Sequence, residues 1–318
     1  RGLGDVYKRQ AYKTYTENQL FSPEISTTTG YSKLYVNAGK VTNKGIELAL
    51  GFKQNIGPVD WKTTLLWSLN RNRIDQLLPE YTNEELGVTV HLDEMDVYSL
   101  GGAKQRLTVG GSMGDVYVNT MRTDEHGYIW MNSMTGALET DKNNYVYAGN
   151  TNPKYTLSWR NEFNWKGISL GFMLNARVGG IGVSATQAVM DYYGVSKTSA
   201  EARDNGGVKV NGQMIDAQTW YQTIGANGTG YVGSMYVYSM TNVRLGELTL
   251  GYDIPINKWC KWISGLNVSF VGRNLWMLYC KAPFDPESTA STGTYNQGMD
   301  YFMQPSLRSM GFSAKISF

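Results

Sequence analysis

Apolar and polar residues alternate strictly over several stretches of this chain. From 310 to 318, Met310, Phe312, Ala314, Ile316 and Phe318 share one parity, and Gly311, Ser313, Lys315 and Ser317 the other. A period of two is an extended strand with one apolar and one wet face. The same pattern runs through 43–56, where Ile46, Leu48, Leu50 and Phe52 alternate with Glu47, Ala49, Gly51 and Lys53. After Gly57-Pro58 it resumes with Trp61, Thr63, Leu65, Trp67 and Leu69 on one parity. Turn chemistry between two alternating runs predicts a hairpin. A second hairpin is predicted around Lys166-Gly167. Tyr155, Leu157, Trp159, Phe163 and Trp165 precede the turn on one parity, with Asn161 the one polar member; Ile168, Leu170, Phe172, Leu174, Ala176 and Val178 follow it. A third unit joins 243–253, through a turn containing Pro255, to a run carrying Leu266, Val268 and Phe270.

These runs are about ten residues or longer, against the five or six usual in soluble sheets. About ten tilted residues cross a bilayer. The connections alternate in kind. Short ones lie at 55–60, 164–167 and 253–265; long Gly/Ser/Thr/Asn-rich ones lie at 72–114, 117–152, 179–241 and 279–306. Short turns on one rim and long loops on the other is the layout of an outer-membrane barrel. Trp61, Trp165, Trp259 and Trp262 lie beside the short turns, where an interfacial girdle would sit, and Trp276 and Tyr279 lie towards the other rim. The predicted fold is all-β: an antiparallel transmembrane β-barrel, with long extracellular loops and short periplasmic turns. A soluble sandwich explains the alternation of any single strand as well, because alternation does not say what the apolar face meets.

Composition narrows the classes. Lys plus Arg is 29 and Asp plus Glu 27 in 318 residues, a net charge of +2 that gives no basic footprint for nucleic acid. Gly is 36, Tyr 22 and Trp 9, and only 18% of residues are charged, which suits neither a disordered tail nor a helical bundle. Mean hydropathy is −0.35 and no apolar run is long enough for a transmembrane helix, which leaves a barrel open. Residues 1–10 (RGLGDVYKRQ) fit neither a strand nor a helix template and read as linker or adaptor sequence, leaving 11–318 as the native part.

Several ordered motifs carry a family resemblance. Asn37-Ala-Gly-Lys-Val-Thr-Asn-Lys-Gly-Ile-Glu47 resembles the NxGxVxNKGxE strand entry of SusC/RagA-type TonB-dependent outer-membrane transporters of Bacteroidetes. Arg244-Leu-Gly-Glu-Leu-Thr-Leu-Gly-Tyr-Asp-Ile-Pro255 resembles the family's LRxLxLGYxxP segment. Ser269-Phe-Val-Gly-Arg-Asn-Leu275 followed by Phe284-Asp-Pro-Glu287 resembles its GxNL…DPE stretch. Asn152-Pro-Lys-Tyr155 and Arg177-Val-Gly-Gly180 also fit, so the resemblance covers nearly all of 37–318. It implies a 22-stranded barrel with an N-terminal plug, a SusD-like surface lipoprotein over its mouth and TonB as the energy source. It also implies import of glycans or peptides. This chain would be a fragment holding roughly nine to twelve barrel strands, at about 30 residues per strand and connection, without plug or TonB box. Such a piece has an open sheet edge and is expected not to transport alone.

Other chemistry has weaker support. Gly110-Gly-Ser-Met-Gly114 matches G-x-S-x-G, but a nucleophile elbow needs a following helix and a later acid and His; only His126 follows, and no amphipathic helix is predicted after it. Gly180-Ile-Gly182 lacks a βαβ setting. His91 and His126 stand apart with no Cys nearby. Asp93, Glu94, Asp96 and Asp141 could ligate a loop calcium but lack EF-hand spacing, so no cofactor is expected. In the barrel reading Cys260 and Cys280 fall at opposite rims, about 14 extended residues or roughly 45 Å apart, so free thiols are predicted.

The wet parity nominates Arg160, Glu162, Arg177, Arg244 and Arg273 as lumen-facing, where they would meet substrate or pair with one another and the plug. Among loop aromatics, Tyr128, Trp130, Trp220 and Tyr221 could stack on sugar rings, pack the loops or meet the capping lipoprotein. The expected function is part of an active outer-membrane importer without enzymatic chemistry. A soluble or secreted all-β carbohydrate-binding module, a Ser112 hydrolase and a passive porin or adhesin stay open as rivals.

Overall fold

The computed structural model describes residues 6–21, 30, 33, 35–85, 87–132, 134–225, 230–256, 262–288 and 296–317. Along the chain, three long strands come first: β1 (Val6–Phe21), β2 (Val36–Ile56) and β3 (Val59–Gln76). A first insert follows with β4 (Leu78–Asn83), β5 (Val88–Leu92), β6 (Glu94–Leu100), β7 (Ala103–Thr108), β8 (Asp115–Met121) and β9 (Thr140–Asn150). The hairpin β10 (Tyr155–Trp165) and β11 (Ile168–Val178) leads into a second insert. That insert holds β12 (Ile181–Ser184), α1 (Ala185–Tyr192), α2 (Lys197–Asp204), β13 (Val208–Val210), β14 (Gln213–Ile215), α3 (Ala217–Ile224) and β15 (Val237–Ser239). The chain then runs through β16 (Asn242–Ile254), β17 (Gly265–Cys280), the two-residue β18 (Met299–Asp300) and β19 (Ser309–Ser317).

The long strands form one eight-stranded sheet in the order β1-β2-β3-β10-β11-β16-β17-β19, antiparallel at every pair. Setting the inserts aside, each strand pairs with the next along the chain, as in an up-and-down barrel wall. Among the described residues the sheet is open, not closed on itself, and it has eight strands where roughly nine to twelve were expected. The inserts consume far more chain per strand than that expectation assumed. The strand expectation also fails at the start: Val6–Gln10, read as matching no element, pair with Gly51–Glu47 as part of β1.

Local chemistry sets the short turns. Gly57 takes φ +59° ahead of Pro58, and Ile56 then pairs with Val59. Lys166 and Gly167 both adopt positive φ, 45° and 86°, the two-residue turn whose twist matches its strands. The glycine of the Asn43-Lys-Gly-Ile-Glu47 motif has a steric reason. The Tyr12 ring of β1 lies over Gly45, and a Cβ there would overlap it.

The sheet has two unlike faces. Across it run the cross-strand rows Leu50–Leu65–Trp159–Leu174 and Phe163–Leu170–Leu250–Phe270–Phe312. Leu50 and Trp159 are each 41% exposed and Phe312 85%, so among the described residues nothing covers this face. A sandwich would bury it against a second sheet; a barrel turns it to acyl chains. Two tryptophan N–H groups on this face are satisfied within it: Trp159 donates to Thr63 at 2.9 Å and Trp61 to Asn161 at 3.2 Å. Asn161, the polar residue inside β10's apolar parity, thus accepts from Trp61, while its own buried Nδ2 has no partner among the described residues. Trp61 and Trp165 do flank the short turns, and exposed Trp262 lies near the third; Trp259 falls outside the described residues.

The two inserts are folded, not open loops. In the first insert β6-β7-β8-β9 make a four-stranded sheet. In the second, three helices appear where none was predicted, capped by the side chains of Ser184, Ser196 and Asp216 on the N–H groups of Gln187, Ser199 and Thr219. Helices of eight residues are too short to stand alone, so packing holds them. The packing is shared: Ala103, Val116 and Val118 of the first insert meet Val183, Ala188, Trp220 and Tyr236 of the second and Met299 of the third connection in one core. One common core places all three connections on one rim, forming a dome. No described helix is long and apolar enough to cross a membrane.

Candidate functional site

The polar face of the sheet and the dome above it carry the candidate residues. Four of the five nominated charges enter ion pairs. Lys62 on β3 meets Glu162 at 3.6 Å, and Arg160 meets the same carboxylate at 2.7 Å. Arg160 also reaches Glu247 on β16 at 3.9 Å, which Arg273 on β17 approaches at 3.9 Å. On the intervening β11, Met173 lies in register between Arg160 and Glu247, while Gly171 opposite Glu162 leaves space beside it. Three cations against two carboxylates leave a single positive excess. These side chains are solvated, so each pair contributes about 1 kcal/mol at most. The ladder sets the charge of the wall more than its stability.

Arg177 is not part of that ladder. Its Nη2 donates to the Thr151 carbonyl at 2.8 Å, while its buried Nε has no partner among the described residues. Gly179 and Gly180 take positive φ, and a Cβ on Gly180 would lie 2.8 Å from the Thr151 carbonyl oxygen. The Asn152–Tyr155 and Arg177–Gly180 motifs are therefore two halves of one knot.

Arg244 departs most from its expected place. It is not open to a lumen but buried, with its guanidinium 2.9 Å from Asp285 and 3.2 Å from Glu287. Its Nη1 also donates to Asn274 at 3.2 Å and to the Ser306 hydroxyl at 3.3 Å. Register shifts on either side, at Val243/Arg244 and Leu245/Glu247, re-aim the side chain, which is what β-bulges do. Asn274 adopts φ +52°, a conformation Asn tolerates better than most residues. Its amide donates to Ser306 Oγ at 2.8 Å. Three motifs that the sequence presents separately thus close around one guanidinium. Ser306 was missed; the only available signal was an Asp-Pro-Glu without a visible partner beside an Arg-containing strand.

Burial alone would raise the pKa of the Asp285 carboxyl. Hydrogen bonds from the Ser306 hydroxyl, the amides of Glu287 and Ser306, and Arg244 outweigh it and hold the pKa at about 2. A depressed folded pKa adds stability that is complete above the ordinary carboxyl value of about 4 and is lost as pH falls through the folded value. Pepsin cleavage within 281–307, normalised to an unstructured peptide, should therefore climb between pH 4 and pH 2. Asp285→Asn should be cleaved readily at both; an unchanged pH profile in that variant would remove Asp285 from the clip.

Beside the knot lies a cleft of about 620 Å³, lined by Asn70, Asn72, Ser112, Asp115, Tyr147 and Lys154 among others. Ligand pockets are commonly about 300–1,000 Å³. Asp115 organises it, accepting from Asn150 at 2.7 Å, the Ser112 amide at 2.7 Å and the Tyr147 hydroxyl at 3.4 Å. The Ser112 hydroxyl donates to Asn72 at 3.3 Å, and a strand follows it, not a helix. His91 pairs with Asp93 and His126 with Glu125, so neither serves Ser112. Asp96 is engaged by Lys104 and Arg106, and Glu94 by Arg106. Among the described residues no acidic, His or Cys group is arranged to hold a metal.

The loop aromatics divide. Tyr128 is exposed, and Trp130 lies under Arg122, whose guanidinium sits 4.5 Å from the ring centroid. Trp220, only 8% exposed, is a core residue of the dome and has no free face for a sugar ring. Tyr221 packs against that core, and burial raises its pKa. Cys280 is a free thiol; Cys260 lies outside the described residues.

No family profile matches the chain. It is 23% identical over 337 aligned residues to TonB-dependent receptor P3 of Formosa agariphila, covering 96% of the chain and 32% of that receptor. TonB-dependent receptor P26 of the same organism is 22% identical, with the same two shares. The chain spans about a third of the length of these curated relatives. Among solved structures, the RagAB peptide transporter superposes with a TM-score of 0.67 at 15% identity, over 98% of this chain and 32% of that one. The RagAB peptide importer in its open-open state gives 0.61 at 15% identity. These relatives are TonB-dependent receptors and a peptide transporter. Over nearly its whole length the chain is similar to TonB-dependent receptors, and its open eight-stranded sheet has the fold of part of the barrel wall of these solved structures.

Proposed function

We propose that this stretch of TonB-dependent receptor forms part of the wall and mouth of an active importer of glycans or peptides. In this reading a SusD-like lipoprotein covers the dome and TonB supplies the energy. The observation that carries it is the two-faced sheet: an uncovered apolar parity for lipid, and a charged parity that leads up to a folded dome with a polar cleft. The relation to RagAB, a peptide transporter, favours peptides over glycans. The ladder from Lys62 to Arg273 gives the wall both signs of charge, which suits zwitterionic peptides as well as neutral sugars.

A strain lacking the whole receptor gene should grow poorly on either a peptide mixture or a glycan mixture as sole nutrient source. Growth should return with the intact gene and fail when its TonB-contacting segment is deleted. Normal growth of the deletion strain on every peptide and glycan tested would sink the importer reading. Recovery of the receptor in the soluble fraction would favour the carbohydrate-binding module instead.

A further inference from the structure

The apolar face ends abruptly on the dome side of β2 and β3; on β1 the same parity already carries Arg9, opposite Leu48. Counting up from the short turn, β2 places Ile56, Phe52, Leu50, Leu48 and Ile46 on the lipid parity, with Gln54 the polar exception. From Ile56 to Ile46 is about 33 Å of strand at roughly 3.3 Å per residue. Tilted by about 40°, that gives a height of about 25 Å, the height of the apolar band of an outer-membrane barrel. The next row on the same parity is Lys13–Lys44–Arg71, directly opposite one another on three adjacent strands. The row above it is Tyr15–Thr42–Arg73. Lys13, Lys44, Arg71 and Arg73 are all exposed.

Like charges directly opposite one another destabilise a sheet, so the triple row calls for a counter-charge. The described residues supply little. Asp75 stands 3.8 Å from Arg73 and bonds Thr42; Glu17 meets Lys40 at 2.8 Å. Among the described residues, Lys13 and Lys44 have no ionic partner, and Arg71 donates only to the backbone carbonyls of Asn70 and Lys154. The Tyr15 ring lies beneath the ammonium of Lys13 at 4.7 Å, fixing that cation on this face. The neighbouring β10 and β11 carry no such row: their lipid parity ends in Tyr155 and Val178.

We propose that Lys13, Lys44, Arg71 and Arg73 form a binding site for the phosphorylated headgroup of an outer-leaflet glycolipid, with its acyl chains lying along Ile46, Leu48, Trp67 and Leu69. The occupant follows from position. A cationic patch at headgroup height, continuous with an apolar band on the long-loop rim, meets a molecule that is anionic at the top and apolar below. The inference rests on the barrel reading and goes beyond it, since import needs no lipid site on the outer wall.

The test uses the complete receptor, purified in detergent and exposed to vesicles containing phosphorylated lipid A. Lipid retained per receptor is read by native mass spectrometry. The pair Lys44→Gln with Arg71→Gln should retain about tenfold less, in line with the loss of two solvent-exposed ion pairs. Lys166→Gln at the opposite rim should retain as much as the parent, and dephosphorylated lipid A should bind the parent as poorly as lipid A binds the double variant. Equal retention by parent and double variant would overturn the site, provided both keep the mobility of the folded barrel in unheated gels. Inorganic phosphate that displaces lipid A at equal concentration would show a phosphate site with no lipid component, which also overturns the proposal. Neither result touches the growth phenotype, so failure here is distinguishable from failure of the importer reading.

Discussion

Leu65→Arg should largely prevent stable assembly of the receptor in the outer membrane, while Leu66→Arg, one residue on, should be tolerated. Leu65 lies between Leu50 on β2 and Trp159 on β10, in the apolar row. It is six residues from the start of β3, or about 15 Å above the short-turn rim once strand tilt is included. That depth is close to the bilayer midplane, where an arginine on the lipid face costs about 2–4 kcal/mol. The lost packing of leucine against Trp159 adds to that cost. Leu66 points the other way, between Ala49 and Ser158, on the face that carries the charge ladder. An arginine there joins an aqueous surface. Urea titration of the receptor in vesicles, together with gel mobility before and after heating, separates the two. Equal damage from both substitutions, or greater damage from Leu66→Arg, would mean that the apolar parity does not face lipid.

Arg244→Met should release the 281–307 connection from the wall. The guanidinium is shared by Asp285, Glu287, Asn274 and Ser306. Methionine fills much of the space and satisfies none of them. Removing one partner of a buried ion pair costs about 3–5 kcal/mol, because the remaining charge stays buried. Most of that falls on Asp285, whose side chain is almost fully enclosed; Glu287 is partly solvated and recovers water. Hydrogen exchange at amides of 285–306 should accelerate a hundredfold or more, while amides in the middle of β10 and β11 stay unchanged. Arg244→Lys should recover only part of the protection, because an ammonium cannot reproduce a planar fork facing five acceptors. Adding Asp285→Asn to Arg244→Met should cost much less than the sum of the two singles, the signature of a coupled pair. An acceleration below about threefold in Arg244→Met would show that the cluster does not hold the connection.

The wall of the barrel was readable because strand parity is a local property. The run predicted as 168–178 is β11 as observed, and the final strand, β16 and the Lys166-Gly167 turn were anticipated to within a residue or two. Each rests on neighbouring residues alone: alternation for the strand, positive φ for the turn. β2 and β3 extend beyond their predicted ends, because Val36, Ala38, Val41 and Ile74 are buried by a small core with Leu77, Leu78 and Leu107 at the rim.

The dome was not readable for the opposite reason. Its strands and helices have two to eleven residues, and none holds a periodic pattern long enough to stand out. Trp220 looks like an exposed ligand-binding aromatic in a Gly- and Asn-rich stretch; only the arrival of Ala103 and Val118 from another connection makes it a core residue. Arg244 shows the same limit. Its parity was foreseen, but the bulges that turn it inward depend on the pairing of β16 with β17, and its partners come from 41 and 62 residues further along the chain. What the amino-acid order determined by itself is therefore the two-sidedness of the wall, because parity repeats every two residues and needs no distant partner. Which charges stay open to water, which aromatics are buried and where the connections are clipped were decided by tertiary packing, since each depends on groups that meet only when the long connections share one core.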